Sequence, residues 1–226
     1  MDIFGTFFAK VSAFQMNTGY SIEEARLAQR FCKELPAGPE FATRRNFESG
    51  YLAVEQRLVG KYLKKRSSVV VVGAGNGPEA RPIASDGHLI VCFDVGFLYV
   101  RSGAALCERE KLGNVHFLQA DMHALPFAHE RFDFVFFSIY PMAGGRRFEV
   151  VCQIRKVLRP GGIMLLMTPT PLYPQRFPWR PSQMVILTDG EMPEEIMNVE
   201  ACGFRFRESS IDEERAEYRF AVFEAC

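Results

Sequence analysis

The sequence has no surplus of either charge, no cysteine framework and no long apolar run, and each absence removes a class of function. Its 226 residues carry 27 Lys and Arg against 27 Asp and Glu, so no overall positive field draws it to nucleic acid or to an anionic membrane. Six cysteines are scattered (Cys32, Cys92, Cys107, Cys152, Cys202, Cys226), with no C-x-x-C pair and no Cys/His cluster at metal-ligand spacing. They read as reduced thiols of a cytoplasmic protein, several filling core positions, and no metal site is expected. No stretch approaches the roughly 20 apolar residues of a membrane span. Asp2 stands where a secretion signal carries positive charge. Repeats and low-complexity segments are missing too.

What is present is the composition of a soluble globular chain, 48% hydrophobic and 24% charged, long enough for one full domain with an appended segment. Charge is uneven along it. Residues 1–68 hold 11 basic and 7 acidic side chains, and residues 189–217 hold 3 basic and 10 acidic. Each bias reads as a solvated face.

The stretch Val69-Val-Val-Val-Gly-Ala-Gly-Asn-Gly-Pro-Glu-Ala80 organises the rest. Four β-branched residues in a row predict a strand buried on both faces, as in a parallel sheet covered by helices. Gly73, Gly75 and Gly77 let the backbone turn sharply and lie against a ligand. Pro78 and Glu79 suit the first turn of a following helix. Strand, glycine turn and helix start together form a cofactor-type loop.

Residues 1 to about 66 read as a separate helical segment, 67–226 as the main domain. Ser21-Ile-Glu-Glu24 is a capping box opening a first helix, which Pro36-Ala-Gly-Pro39 stops. A second helix is expected from about 47 to 65, its basic run Lys61, Lys64, Lys65 and Arg66 at the solvated C-terminal end. Beyond it, strands are expected at 69–72, 88–93, 115–119, 132–137 and 163–167, with helices over 98–112 and from 148 to 158, the latter ended by Arg159-Pro-Gly-Gly162. That alternation predicts an α/β, Rossmann-like doubly wound, mostly parallel sheet. Period-two patterning in Phe204-Arg-Phe-Arg207 and around Tyr218-Arg-Phe220 predicts a closing antiparallel hairpin at the sheet edge.

Ligands in such sheets bind beyond the carboxyl ends of the strands. Five successive strand ends carry a polar or flexible feature: the glycines, Asp94, Asp121, Ser138-Ile-Tyr-Pro141 and Thr168-Pro-Thr-Pro171. Asp94 lies 21 residues after Gly73, where an acid accepts hydrogen bonds from ribose hydroxyls. With these pieces in order, the sequence resembles the class I S-adenosylmethionine-dependent methyltransferases. The matching stretches are Val71 to Gly77, Phe93-Asp94, Gln119-Ala-Asp-Met-His-Ala-Leu-Pro-Phe127, Arg131 to Phe136 and Val157-Leu-Arg-Pro-Gly-Gly162. The Asp-x-x-x-Leu-Pro-Phe and Leu-Arg-Pro-Gly-Gly pieces look most like the ubiquinone- and menaquinone-biosynthesis branch, rich in small-molecule methyltransferases.

The resemblance implies a seven-stranded sheet and S-adenosylmethionine as cofactor, held by Gly73, Ala74, Gly75 and Gly77 at its methionine part. It implies Asp94 and Val95 at the ribose side, Asp121 and Met122 at the adenine, and Ser138 beside the pocket. One position departs: the family usually has an acid two residues before the first glycine, and this chain has Val71. Recognition of the ammonium group then falls to backbone carbonyls or another side chain.

Methyl transfer from a sulfonium needs alignment above all, worth roughly 7–11 kcal/mol against roughly 2–5 kcal/mol for a general base. Tyr140 and His123 are the candidate bases, with His129 behind them. Tyr20, Tyr140, Tyr173, Phe177 and Trp179 are candidate acceptor contacts, the last three in a segment of five prolines that is not expected to be a regular helix. The expected acceptor is a small molecule. A nicotinamide enzyme needs a third glycine where Pro78 stands. The alternative within the fold is a non-catalytic member that binds cofactor or a partner protein.

Overall fold

The computed structural model describes residues 52–138, 145–176, 185–213 and 215–226. The capping box at Ser21 and the candidate contacts Tyr20, Tyr140, Phe177 and Trp179 lie outside the described residues.

Elements follow in the order α1 (Ala53–Tyr62), β1 (Ser68–Val72), a 3₁₀ segment (Arg81–Asp86), β2 (Leu89–Asp94), α2 (Phe97–Arg109), β3 (Val115–Gln119), β4 (Phe132–Phe137), α3 (Arg147–Val157), β5 (Leu158–Pro169), α4 (Tyr173–Arg176), α5 (Met192–Ala201), β6 (Phe204–Ile211) and β7 (Tyr218–Ala225). The seven strands form one sheet in the order β3-β2-β1-β4-β5-β7-β6. β1 to β5 pair in parallel. β7 runs antiparallel between β5 and the edge strand β6. The sheet order reverses at β1, so the switch point falls beside the glycine loop.

The valines of β1 account for its place at the centre. All four are fully buried, each worth about 1.5–3 kcal/mol of apolar transfer. Val70 and Val72 enter a cluster with α3 and α5 residues such as Val151, Ile154 and Val199. Val69 and Val71 enter the opposite cluster, with Leu58 and Val59 of α1 and Phe134 and Phe136 of β4. Asp133 bridges three strands: its Oδ2 accepts from Ser68 N at 2.7 Å and its Oδ1 from Arg159 Nη1 at 2.5 Å. It thus ties the starts of β1, β4 and β5 together.

Several expectations change in detail. The helix after the glycine loop is a 3₁₀ segment beginning only at Arg81. Pro82 is the reason, because a helix started at Pro78 would press its ring on the carbonyl four residues back. α2 stops at Arg109 rather than near Leu112, with Lys111 left-handed at φ 58°. The Arg159-Pro-Gly-Gly162 stretch ends α3 as expected, but it lies within β5 as an irregularity, since Phe132 pairs with Leu158 and Phe134 with Ile163. Tyr173–Arg176 is a single helical turn inside the proline-rich segment. Pro174 is tolerated there because the first turn has no N–H partner to lose. α5 is not expected from the sequence, where its Glu-rich, proline-started segment reads as part of a solvated acidic face.

The two charge-biased stretches meet. Glu208 of β6 accepts from Arg57 Nη1 at 3.1 Å, Lys61 Nζ at 2.5 Å and Tyr62 Oη at 2.7 Å, all on α1. Asp212, buried beside the hairpin turn, caps the start of α1 by accepting from Val54 N at 3.1 Å. These acids join the segments instead of facing water, while Lys64, Lys65 and Arg66 remain exposed as expected.

Candidate functional site

Because β1 to β5 are parallel, Gly73, Asp94, Asp121, Ser138 and Thr168 emerge along one edge of the sheet. The loop after β1 is fastened at both ends. Ala74 N donates to Phe93 O at 2.8 Å, and Gly77 N closes the turn on Ala74 O at 2.8 Å. Gly73, Gly75 and Gly77 have φ of 65°, 54° and 77°, the left-handed region that side-chain-bearing residues avoid.

Gly75 and Gly77 differ in what surrounds them. Among the described residues a Cβ on Gly75 would meet nothing within 4 Å, whereas one on Gly77 would stand 2.5 Å from the ring of Phe117. Gly77 is therefore a packing glycine, and Gly75 borders open space. Phe117 is also pressed on Gly103 of α2, where a Cβ would come within 2.2 Å of it. A glycine in the middle of a predicted helix, at a cost of about 1 kcal/mol, was the sequence signal for that close approach.

Asp94 is the keystone between the loop and β2. Its Oδ2 accepts from Gly75 N at 3.0 Å and its Oδ1 from Gly96 N at 2.8 Å. Burial pushes its carboxyl above the ordinary range, opposed by the amides of Gly96, Gly75 and Val95. Val95 is exposed beside it, and its carbonyl accepts from Gln119 Nε2 at 2.9 Å. Gln119 is a positioning contact that the strand pattern alone does not reveal. One strand further, Asp121 is nearly buried; its Oδ1 accepts from His123 N at 2.8 Å and meets His123 Nδ1 at 3.0 Å. Met122 packs partly buried against the core.

Ser138 is half-buried at the end of β4. Tyr173 packs edge-on against Tyr218, centroids 5.7 Å apart. His129 is corrected by topology: it is exposed just before β4, beside Glu130 and Arg131, whose amides bond to the end of α3. A six-residue strand spans about 20 Å, so His129 lies at the opposite edge of the sheet from the glycine loop and is no candidate base. Val71 is fully buried among apolar side chains and offers the site nothing polar.

The residues fit a nucleoside-bearing ligand: a backbone cradle with space at Gly75, and two strand-end acids held in fixed orientations. Residues 69–162 match a family model described as a methyltransferase domain. Among solved structures, the 4+2 cyclase SpnF superposes with a TM-score of 0.62 at 16% identity, over 79% of this chain and 84% of that one. A protein from Pyrococcus horikoshii OT3 gives 0.62 at 19% identity, covering 76% and 87%. A SAM-dependent methyltransferase from Methanosarcina mazei gives 0.61 at 15% identity, covering 74% and 96%. At these identities the likeness is one of fold. Among the described residues no helix is long and apolar enough to cross a membrane.

Proposed function

We propose that the chain is an S-adenosylmethionine-dependent methyltransferase acting at O, N or C of a small-molecule acceptor, of the kind found in the quinone-biosynthesis branch. The observation that carries this reading is the open space at Gly75 directly beside Asp94, whose two oxygens are already fixed by the amides of Gly75 and Gly96. A carboxylate offers roughly four acceptor positions, more than those amides and that of Val95 use, so ribose hydroxyls have a pre-oriented partner. The methyltransferase-domain match over residues 69–162 supports the same reading.

In this assignment the backbone of Gly73, Ala74, Gly75 and Gly77 holds the methionine part, Asp94 with Val95 the ribose, and Asp121 with Met122 the adenine. Ser138 stands beside the pocket. S-adenosylmethionine, when bound, supplies a methyl carbon already activated by its sulfonium. The protein's work is then to align the acceptor and exclude water. His123 is engaged by Asp121 through Nδ1, which suits it to orienting that acid; Tyr140 is the remaining candidate base. With Val71 in the apolar core, the ammonium group falls to backbone carbonyls of the loop. Residues 1–66, together with Tyr20, Tyr173, Phe177 and Trp179, are assigned to the acceptor side, and the protein to the cytoplasm.

Val71 also favours a second reading, a member of the fold that binds the cofactor or a partner without transferring methyl groups. The superposition on a protein titled a cyclase is in keeping with a fold that does not dictate one reaction. Thermal unfolding with S-adenosylmethionine, S-adenosylhomocysteine and NADH in parallel separates the cases. At 100 times its dissociation constant a ligand adds about 2.7 kcal/mol, or roughly 5–11 °C for a chain of this size. A shift with the first two alone, followed by label transfer from methyl-labelled cofactor to a small-molecule acceptor, is the expected result. Binding without transfer to any acceptor would favour the second reading, and a shift with NADH alone would refute both.

A further inference from the structure

Cys152 and Cys202 are 50 residues apart in sequence and read there as two of six scattered, reduced thiols. The fold brings them together. Cys152 lies in the middle of α3 and Cys202 caps the end of α5, and their Sγ atoms stand 2.7 Å apart, inside the contact distance of two unbonded sulfurs. Cys202 Sγ in turn donates to Phe148 O at 3.6 Å. Both are only partly buried, unlike Cys92 and Cys107, which are sealed in the core. The two helices are braced next to the pair by Arg147 of α3, which grips Glu195 of α5 through Nε to Oε1 at 2.5 Å and Nη2 to Oε2 at 2.9 Å. The backbones carrying the sulfurs are thus held in place by a charge-assisted, two-pronged contact.

We propose that Cys152 and Cys202 form a reversible oxidative modification site, closing to an intramolecular disulfide between α3 and α5 on exchange with a low-molecular-weight disulfide such as oxidised glutathione. Closure needs the sulfurs to approach from 2.7 Å to about 2.05 Å. The exchange balances in two steps. The Cys152 thiol loses its proton and attacks one sulfur of oxidised glutathione, breaking that S–S bond, releasing one glutathione thiolate and leaving Cys152 joined to the other. Cys202 then loses its proton and attacks Cys152 Sγ, forming the protein disulfide and expelling the second glutathione. The two thiolates released take up the two protons, so two protein thiols are oxidised and one glutathione disulfide is reduced. Burial first, and then the contact with Cys152, push the Cys202 thiol up; exchanging the roles of the two cysteines leaves the product and the balance unchanged. The remaining cysteines of the described residues have no such partner geometry; Cys226 is exposed at the end of β7.

The test uses the full chain and needs no knowledge of the acceptor. The protein is incubated with oxidised glutathione, quenched with a maleimide and digested with trypsin without reductant. The expected product joins the peptide 148–155 to the peptide 177–205, two mass units below their sum, with a loss of two titratable thiols per chain. Dithiothreitol should restore both thiols. Cys152→Ser and Cys202→Ser should each abolish the joined peptide, and Cys226→Ser, which keeps the backbone bond from Cys226 N to Gly203 O and changes only an exposed thiol, should keep it. Separate alkylation of both residues, a glutathione retained on either without cross-linking, or a cross-link that survives in Cys152→Ser would overturn the proposal.

Discussion

The two ends of the sheet's carboxyl edge are built on opposite plans. At β1 and β2 the polar groups converge on a loop with room beside it: Asp94 holds the amides of Gly75 and Gly96, and Gly75 faces open space. At β5 and β7 the polar groups are spent on closing the structure. Arg219, buried, bonds Leu187 O and Asp189, Thr170 Oγ1 donates to Ala216 O at 2.7 Å, and Asp212 caps α1 and also accepts from Arg215 N. A ligand site and a structural seam can thus be told apart by where the hydrogen bonds end. The first leaves acceptor capacity over, and the second ties one part of the chain to another.

That contrast is open to attack from both sides. The largest effect is expected at Gly77, where a side chain must displace Phe117 and hold φ 77°. Gly77→Val should cost about 2–5 kcal/mol of stability in urea unfolding, the sum of overpacking and left-handed strain; an unaltered midpoint would remove the distinction between the two glycines. Next comes Asp94→Ala, expected to weaken S-adenosylhomocysteine binding by about 1.5–3 kcal/mol, the scale of hydrogen bonds to a charged group. Titration calorimetry on the folded variant checks it, and unchanged affinity would sink the ribose assignment.

On the seam, Glu208 gives a pH-dependent test. Hydrogen bonds from Lys61 and then Tyr62 lower its carboxyl to about 2, so its contribution is complete above the ordinary value near 4.5 and is lost as pH falls from there through about 2. Its side chain keeps some contact with water, so Glu208→Gln should cost only about 1 kcal/mol at pH 7. The difference from wild type should shrink steadily between pH 5 and pH 2. The smallest effect is expected at Thr168, at the end of β5, whose buried Oγ1 has no hydrogen-bond partner among the described residues. Replacement by valine removes an unsatisfied hydroxyl, so Thr168→Val should be neutral or stabilising by up to about 1 kcal/mol. A loss beyond that would mean the hydroxyl is used.

Much of the ligand end was readable in the sequence because its signals are local. The bounds of β3 and β4 coincide with their apolar runs, and the spacing from Gly73 to Asp94 follows from one strand, one turn and one strand. The seam was hardly readable, because its meaning lies in pairs far apart in the chain. Glu208 with Lys61, Asp212 with Val54 and Cys152 with Cys202 have no signature at either residue alone. Pro82, four residues after Pro78, sets a 3₁₀ segment where an α-helix is expected. Gly75 and Gly77 look alike in the sequence, and only the position of Phe117 distinguishes them.

The most direct test of the ligand end is titration of S-adenosylhomocysteine into the wild type and into Gly75→Val. The variant fills open space at a left-handed position, so it should stay folded at a cost of about 1–2 kcal/mol and lose binding by at least tenfold while the wild type gives a saturable heat. Equal binding by both proteins, or none by the wild type, would contradict the assignment of this loop as the cofactor cradle.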